Sequence, residues 1–435
     1  MIRKRIQLGM IHMAVAVSLV PFNSTLNRVM IKELALSSLL VAALVSLPYV
    51  FSPIQIAIGA FSDKYPVLGY KRTPYIIAGL LLCVGGLIAA PYVAYLMLDN
   101  RLLGIALGVL VFGAWGMGYN LASVSYFSLA TEVSGEEGRS RTIAVMFFMM
   151  IVGIILTSIS LGQMLETYTP QTLENAFRVV GYIALGLGIG GILGVEARSA
   201  QPSEQTSDSQ SWGQIYKSLA SDKQVIRFFW YLLLLLTAIL GQDILLEPYG
   251  AEAFGLSVQA TTRITAIWGV FFLLSLSLGA GLERRVPKMV QARIGAFTGI
   301  AAFLLIVASG GLELLWLFYT GVTLLGLATG LSTVSNLSLM LDMTKAGSVG
   351  LFIGAWGMAS ALARLAGNLL SGMIRESFTP LLQSAVGGYN AVFILEIGIL
   401  IVSLTILRGV DVSLFQRERE PSLSYLERVA ISNEG

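Results

Sequence analysis

Long apolar runs alternate with short polar breaks along the whole chain. A helix needs about 20 predominantly apolar residues to cross a membrane. On that criterion the pattern predicts helices near 6–28, 35–61, 74–98, 102–130, 143–165 and 176–195. A second set follows near 224–246, 261–282, 292–310, 313–341, 348–372 and 390–408. Between the sets stands "EARSAQPSEQTSDSQSWGQIYKSLASDK", residues 196–223, which has no apolar run. The expected organisation is a six-helix half over 1–195, a linker over 196–223, a second six-helix half over 224–408 and a charged tail over 409–435. Within the linker, Trp212, Ile215, Tyr216 and Leu219 have the spacing of a helix lying on a membrane face.

Composition agrees with this pattern. Hydrophobic residues make up 55% of the chain and charged ones 12%, about half the charged share of a soluble domain. The expected fold class is an all-α integral membrane protein of about twelve transmembrane helices. The 46 glycines suit close helix packing in lipid. Cys83 is the single cysteine and lies in an apolar run, which excludes a disulfide framework or a cysteine metal cluster. No Walker, zinc or dinucleotide motif occurs, so no nucleotide, no metal of its own and no catalytic residue is expected. A net charge of +3 is too small and dispersed for nucleic-acid binding. The N-terminal run has a basic head but no small-residue cleavage site, and it carries His12, Asn23 and Asn27. It is expected to stay as the first span.

Placement of charge gives the expected orientation. The loops on the side of both termini hold most of the Lys and Arg, which predicts that the termini, the linker and these loops face the cytoplasm.

Internal repeats sharpen the two-half reading. "GAFSDK" at Gly59 to Lys64 recurs as "GAGLER" at Gly279 to Arg284, offset by 220. "SVSYFSLATEVS" from Ser123 recurs as "TVSNLSLMLDMT" from Thr333. "FNSTLNRVMIKELALS" from Phe22 aligns with "QDILLEPYGAEAFGLS" from Gln242, again at 220. Both copies run in the same direction, as in the two halves of the major facilitator superfamily.

Several polar groups stand out against this apolar background. "GAFSDKYPVLGYKRTP" resembles that superfamily's loop between helices 2 and 3, with Gly59, Asp63, Lys71 and Arg72 able to latch helix ends across the loop. Glu132 and Asp342 are paired acids of the second repeat, with Arg139 and Arg141 close behind the first and Glu283 in the second loop copy. They are expected to help lock the halves. Arg364 and Glu396 lie at matching depths inside their helices. A charge there is costly unless it is paired or sits in a wet cavity, so mutual pairing or an anion site at Arg364 is expected. Asp243 and Glu247 share a helix face at the far end of helix 7, as do Asn23 and Asn27 in helix 1, and Pro248 with Gly250 is expected to break the helix beside them.

The strings "SPIQIAIGAFSD" and "QDILLEPYG", with stretches spread over both halves, resemble the PucC or bacteriochlorophyll delivery family of that superfamily. The resemblance implies a non-enzymatic protein of a photosynthetic membrane, bacterial or thylakoid, that assists assembly of light-harvesting or reaction-centre complexes. It would bind or deliver chlorophyll or bacteriochlorophyll. Its partners would be membrane lipid, light-harvesting or photosystem apoproteins and pigment-synthesis enzymes. The candidate pigment ligands, in order, are Glu247, Asn23, Gln242 and His12, followed by Asp243, Asn27, Asn120, Ser123, Ser335 and Asn336. Two other functions fit the same scaffold. One is proton-coupled transport of a small anionic solute such as a pteridine, through Asp243 or Glu247 and Arg364. The other is a structural chaperone holding apoproteins in lipid.

Overall fold

The computed structural model describes residues 2–198, 223–282, 285–342 and 349–411. The amphipathic stretch around Trp212 to Leu219, Glu283 and the tail beyond 411 lie outside the described residues, as do the side chains of Asp63, Arg139 and Asp342.

The first half comprises α1 (Ile2–Glu33), the short helices α2 (Ser38–Val45), α3 (Leu47–Val50) and α4 (Ile54–Lys64), then α5 (Thr73–Asp99), α6 (Arg101–Gly135), α7 (Arg141–Met164) and α8 (Pro170–Ile192). The second comprises α9 (Lys223–Gly241), α10 (Leu246–Phe254), α11 (Val258–Leu282), α12 (Lys288–Leu312), α13 (Leu315–Asp342), α14 (Val349–Leu381) and α15 (Ala385–Leu407). Among the described residues ten helices are long and apolar enough to cross a membrane. The broken run α2–α4 and the long α14 occupy the other two places of a twelve-pass bundle.

Four departures from the expected helices have local causes. The single helix expected over 35–61 comes in three pieces, because Pro48 and Pro53 lack the N–H that an unbroken ladder needs. Helix α1 widens instead of ending. It passes into π-helical turns at Pro21–Leu26 and Val29–Glu33, the first opened by Pro21. Its repeat partner α9 yields to a 3₁₀ turn at Gln242–Ile244 at the matching level. Pro248 and Gly250 do not break the chain there. Pro248 falls in the first turn of α10, where its missing N–H has no partner to lose, and the break comes at Gly255, whose φ of 63° ends the helix.

Each half has an aromatic core toward the end opposite the termini, here called the far end. Phe22 stacks on Trp115 with ring centroids 4.0 Å apart, and the Trp115 indole N–H donates to Ser18 Oγ at 3.0 Å. In the second half the Tyr249 ring meets Phe318 and Phe393, and its hydroxyl donates to the Ile306 carbonyl at 2.7 Å. One contact positions the site directly. Gly241 at the end of α9 lies against Gly367 of α14, and a Cβ on Gly367 would fall 2.6 Å from the Gly241 Cα. Only two glycines permit that approach, and it brings the residues just after Gly241 beside the middle of α14.

Candidate functional site

The two halves meet at the far end through a set of hydrogen bonds that follows the repeat. Ser24 Oγ donates to Glu247 Oε1, and the Asn27 amide donates to the Ile244 carbonyl. Residues 24 and 244, and 27 and 247, are each other's counterparts at the offset of 220, so these are two copies of one pseudo-symmetric contact. Lys32 and Glu252 are counterparts of each other and form an ion pair at 2.5 Å. A residue can meet its own counterpart only near the pseudo-two-fold axis, which places that axis between them. The Arg28 guanidinium donates to the Leu256 carbonyl at 3.1 Å, and Thr25 and Thr262 hydroxyls lie 3.2 Å apart. On the neighbouring seam, Ser38 donates to the Gly372 carbonyl at 3.1 Å and the Asn368 amide to Ser46 Oγ at 3.1 Å.

Beneath that closure sits an ion pair. Arg364 Nη1 donates to Asp243 Oδ2 at 2.8 Å, with side chains 32% and 28% exposed. The guanidinium stands 5.8 Å from the centre of the Tyr49 ring, which belongs to the other half. Asp243 also accepts from Gln242 Nε2 at 2.9 Å. The expected pairing of Arg364 with Glu396 is therefore corrected. The 3₁₀ turn after Gly241 brings Asp243 onto Arg364, while Glu396 meets α14 at Ser371, seven residues further along. Glu396 is buried within the second half and accepts only a long hydrogen bond, 3.5 Å, from Ser371.

The other candidate ligands divide by environment. Glu247 is 2% exposed; its Oε1 accepts from Ser24 and, at 2.7 Å, from Thr265, while Oε2 has no partner. Asn27 and Gln242 spend their amide nitrogens on protein and leave buried, unpartnered oxygens, and Asn23 likewise has an unpartnered Oδ1. These oxygens belong to the irregular turns of α1 and α9 that also carry Glu247 and Asp243, and oxygen donors of this kind suit a hard cation such as magnesium. His12 lies apart, inside the first half, with the Tyr126, Phe127 and Phe147 rings 5.0 to 5.3 Å away and Nδ1 unpartnered. Asn120 is engaged on both sides, donating to the Pro48 and Gly116 carbonyls at 2.8 Å and accepting from Gln55. It braces the broken α2–α4 run. Ser123 accepts from Tyr126 at 3.3 Å, Ser335 donates to Leu331 O at 2.8 Å, and the Asn336 amide donates to Ser332 O at 2.7 Å.

At the basic end, Arg72 donates to Glu132 Oε1 at 2.7 and 2.9 Å and to Ser62 Oγ at 2.5 Å, joining the ends of α4, α5 and α6. Among the described residues Glu132 is thus an anchor within the first half; the other members of the expected lock between halves, Asp342, Arg139 and Glu283, lie outside the described side chains. A Cβ on Gly59 would meet Val124 of α6 at an ordinary 3.6 Å, and Arg141 is exposed at the start of α7. One partner went unnoticed in the sequence. The Glu196 carboxylate accepts the backbone N–H groups of Lys71, Arg72 and Thr73 at 2.6, 3.0 and 2.7 Å, and the Thr73 hydroxyl at 2.6 Å. It caps α5 from the far end of the sequence of its own half. An acid at the start of a polar linker gives no sequence signal for this role.

A family model described as PUCC protein matches residues 25–415. The protein of the puhA-bchM intergenic region of Rhodobacter capsulatus is 30% identical over 428 residues, covering 93% of this chain and 88% of that one. The bacteriochlorophyll synthase 44.5 kDa chain of the same species is 29% identical, covering 84% of this chain and 85% of its own length. Among solved structures, a bacterial homolog of the human lysosomal transporter Spinster, inward-facing and unoccupied, superposes with a TM-score of 0.71 at 14% identity, covering 96% of this chain and 98% of that one. At that identity the likeness speaks for the fold alone, which is that of the major facilitator superfamily.

Proposed function

The chain belongs to the PucC protein family, and from that membership we propose that it is a membrane assembly factor for light-harvesting or reaction-centre complexes that binds or delivers chlorophyll or bacteriochlorophyll. The observation that carries this reading is the match to the family over residues 25–415, nearly the whole chain. It is supported by the name of one relative, a bacteriochlorophyll synthase chain. The protein works as a carrier scaffold and not as an enzyme. The cargo is held between the halves beneath the closed far end, and the basic end, taken as cytoplasmic by the charge bias of the loops, is the side from which cargo enters. Its membrane is the photosynthetic membrane, and its partners are pigment-binding apoproteins.

The partly exposed Arg364–Asp243 pair favours a second reading, proton-coupled transport of a small anionic solute. The two are separated by the absorption spectrum of the detergent-purified protein. Co-purified chlorophyll bands support pigment handling. Colourless protein that takes up an anionic solute with protons in vesicles would replace it with transport. A deletion strain with normal antenna complexes would rule out the assembly role.

A further inference from the structure

We propose that a cavity at the basic end of the second half binds the headgroup of an anionic phospholipid, with the phosphate held by Lys288 and Arg408. The site is separate from the seam between the halves, and the proposal goes beyond pigment handling and does not depend on it.

The cavity has a volume of about 570 Å³, within the roughly 300–1,000 Å³ of small-molecule sites. It lies where the first turn of α12 meets the residues that follow α15. The charged lining is two cations, Lys288 and Arg408, against one carboxylate, Asp411. Met289, Leu339 and Val410 supply the apolar part. The wall after α15 is tied to the first turns of α9. Arg227 Nη1 donates to the Gly409 carbonyl at 2.9 Å, and the Asp411 N–H donates to Gln224 Oε1 at 3.1 Å. Arg227 thereby brings a third cation against Gly409, itself part of the lining.

The surroundings of the cavity select a lipid over a soluble anion. Val290, Ile294 and Phe297 are exposed and fall at i, i+4 and i+7, on one face of α12. Helix α15 exposes Ile401 and Val402, and Val402 lies about 9 Å before Arg408 at 1.5 Å per residue. The two helices are neighbours, for a Cβ on Gly299 of α12 would meet Leu400 of α15 at 3.3 Å. In a chain that spans a membrane these apolar faces lie against acyl chains. A lipid resting on them carries its phosphate to the level of Lys288 and Arg408. Basic pockets between helices at this level take anionic headgroups. A zwitterionic headgroup would add its own cation to a lining already in positive excess, so it is the poorer match. The bound lipid joins the ends of α12 and α15 and, through Gly409 and Arg227, the start of α9.

The experiment strips the purified full-length protein of lipid in detergent and titrates it with dioleoyl phosphatidylglycerol, dioleoyl phosphatidylcholine and glycerol phosphate. Bound species are counted by native mass spectrometry. The wild type is expected to hold one phosphatidylglycerol roughly tenfold more tightly than phosphatidylcholine, and to show no saturable binding of glycerol phosphate over the same range. In Lys288→Gln combined with Arg408→Gln the preference falls to near unity. Arg293→Gln removes an exposed cation of the same helix that is outside the lining, and it should keep the preference. If the double variant cannot be extracted folded, Asp411→Asn decides, since loss of that carboxylate should tighten phosphatidylglycerol and leave phosphatidylcholine unchanged; unchanged or weaker phosphatidylglycerol binding there counts against the site. Equal affinity for the two lipids in the wild type, or an equal loss of preference in Arg293→Gln, overturns the proposal. Glycerol phosphate bound as tightly as phosphatidylglycerol would make the cavity a site for a soluble anion and overturn the lipid assignment.

Discussion

A single carboxylate at Glu196 takes four hydrogen bonds at the start of α5, three from backbone N–H groups that a helix end leaves without partners. It also sets a negative charge at the positive end of the helix dipole. Capping losses run to about 1 kcal/mol each, and charge-assisted hydrogen bonds are stronger. Glu196→Ala is therefore expected to destabilise the first half by about 2 kcal/mol, lowering the thermal midpoint in detergent, while Glu196→Gln recovers part of the loss. An unchanged midpoint in the alanine variant would deny the cap its role. The same scale shows where sequence reading stops. That Arg364 needs a partner was legible from the cost of an unpaired charge in a membrane. Which acid would supply it was not, since Asp243 and Glu396 both lie in apolar helices and the 3₁₀ turn that brings Asp243 onto Arg364 leaves no mark in the sequence.

At the level of helices, apolar runs and spacing located the passes, because lipid permits few alternatives to a helix. The finer shape came from prolines and glycines whose effect depends on their neighbours. Pro48 and Pro53 divide a predicted helix, whereas Pro91 sits inside α5 without dividing it. Glycines on α14 make a direct test. A Cβ at Gly367 would meet the Gly241 Cα at 2.6 Å and the Thr237 carbonyl at 2.7 Å, while one at Gly357 would meet nothing within 4 Å. Gly367→Ala is expected to cost about 1–3 kcal/mol by overpacking and to loosen the α9–α14 crossing that holds Asp243 on Arg364. Gly357→Ala, in the same helix, should be neutral or stabilising by up to about 1 kcal/mol, since alanine is the better helix former. Thermal unfolding of the two variants beside wild type gives the comparison, and similar midpoints for both would show that the crossing is not tight.

Across the whole molecule the repeat does more than double the helix count. Because the two copies run in the same direction about an axis along the bundle, the residues nearest that axis must face their own counterparts. The offset of 220 read from the sequence accordingly anticipates which residues close the far end, down to Lys32 against Glu252 and the paired contacts of Ser24 with Glu247 and Asn27 with Ile244. What it could not give is the state of the bundle, because the same repeat is compatible with closure at either end. The Lys32–Glu252 pair is part exposed, so its coupling is modest, within about 1 kcal/mol, but it lies on the axis about which the halves would separate. A cysteine placed at Thr25, fully buried in the closed seam, reports that separation, and the native Cys83 is buried and adds little background. Wild-type protein carrying Thr25→Cys is expected to react slowly with a hydrophilic maleimide. Lys32→Glu or Glu252→Lys alone should raise the labelling rate by like-charge repulsion across the axis, and the double exchange should return it toward the slow value. Equal rates in all four proteins would mean that the buried layer of Ser24, Asn27 and Glu247 holds the far end shut without help from the axial pair.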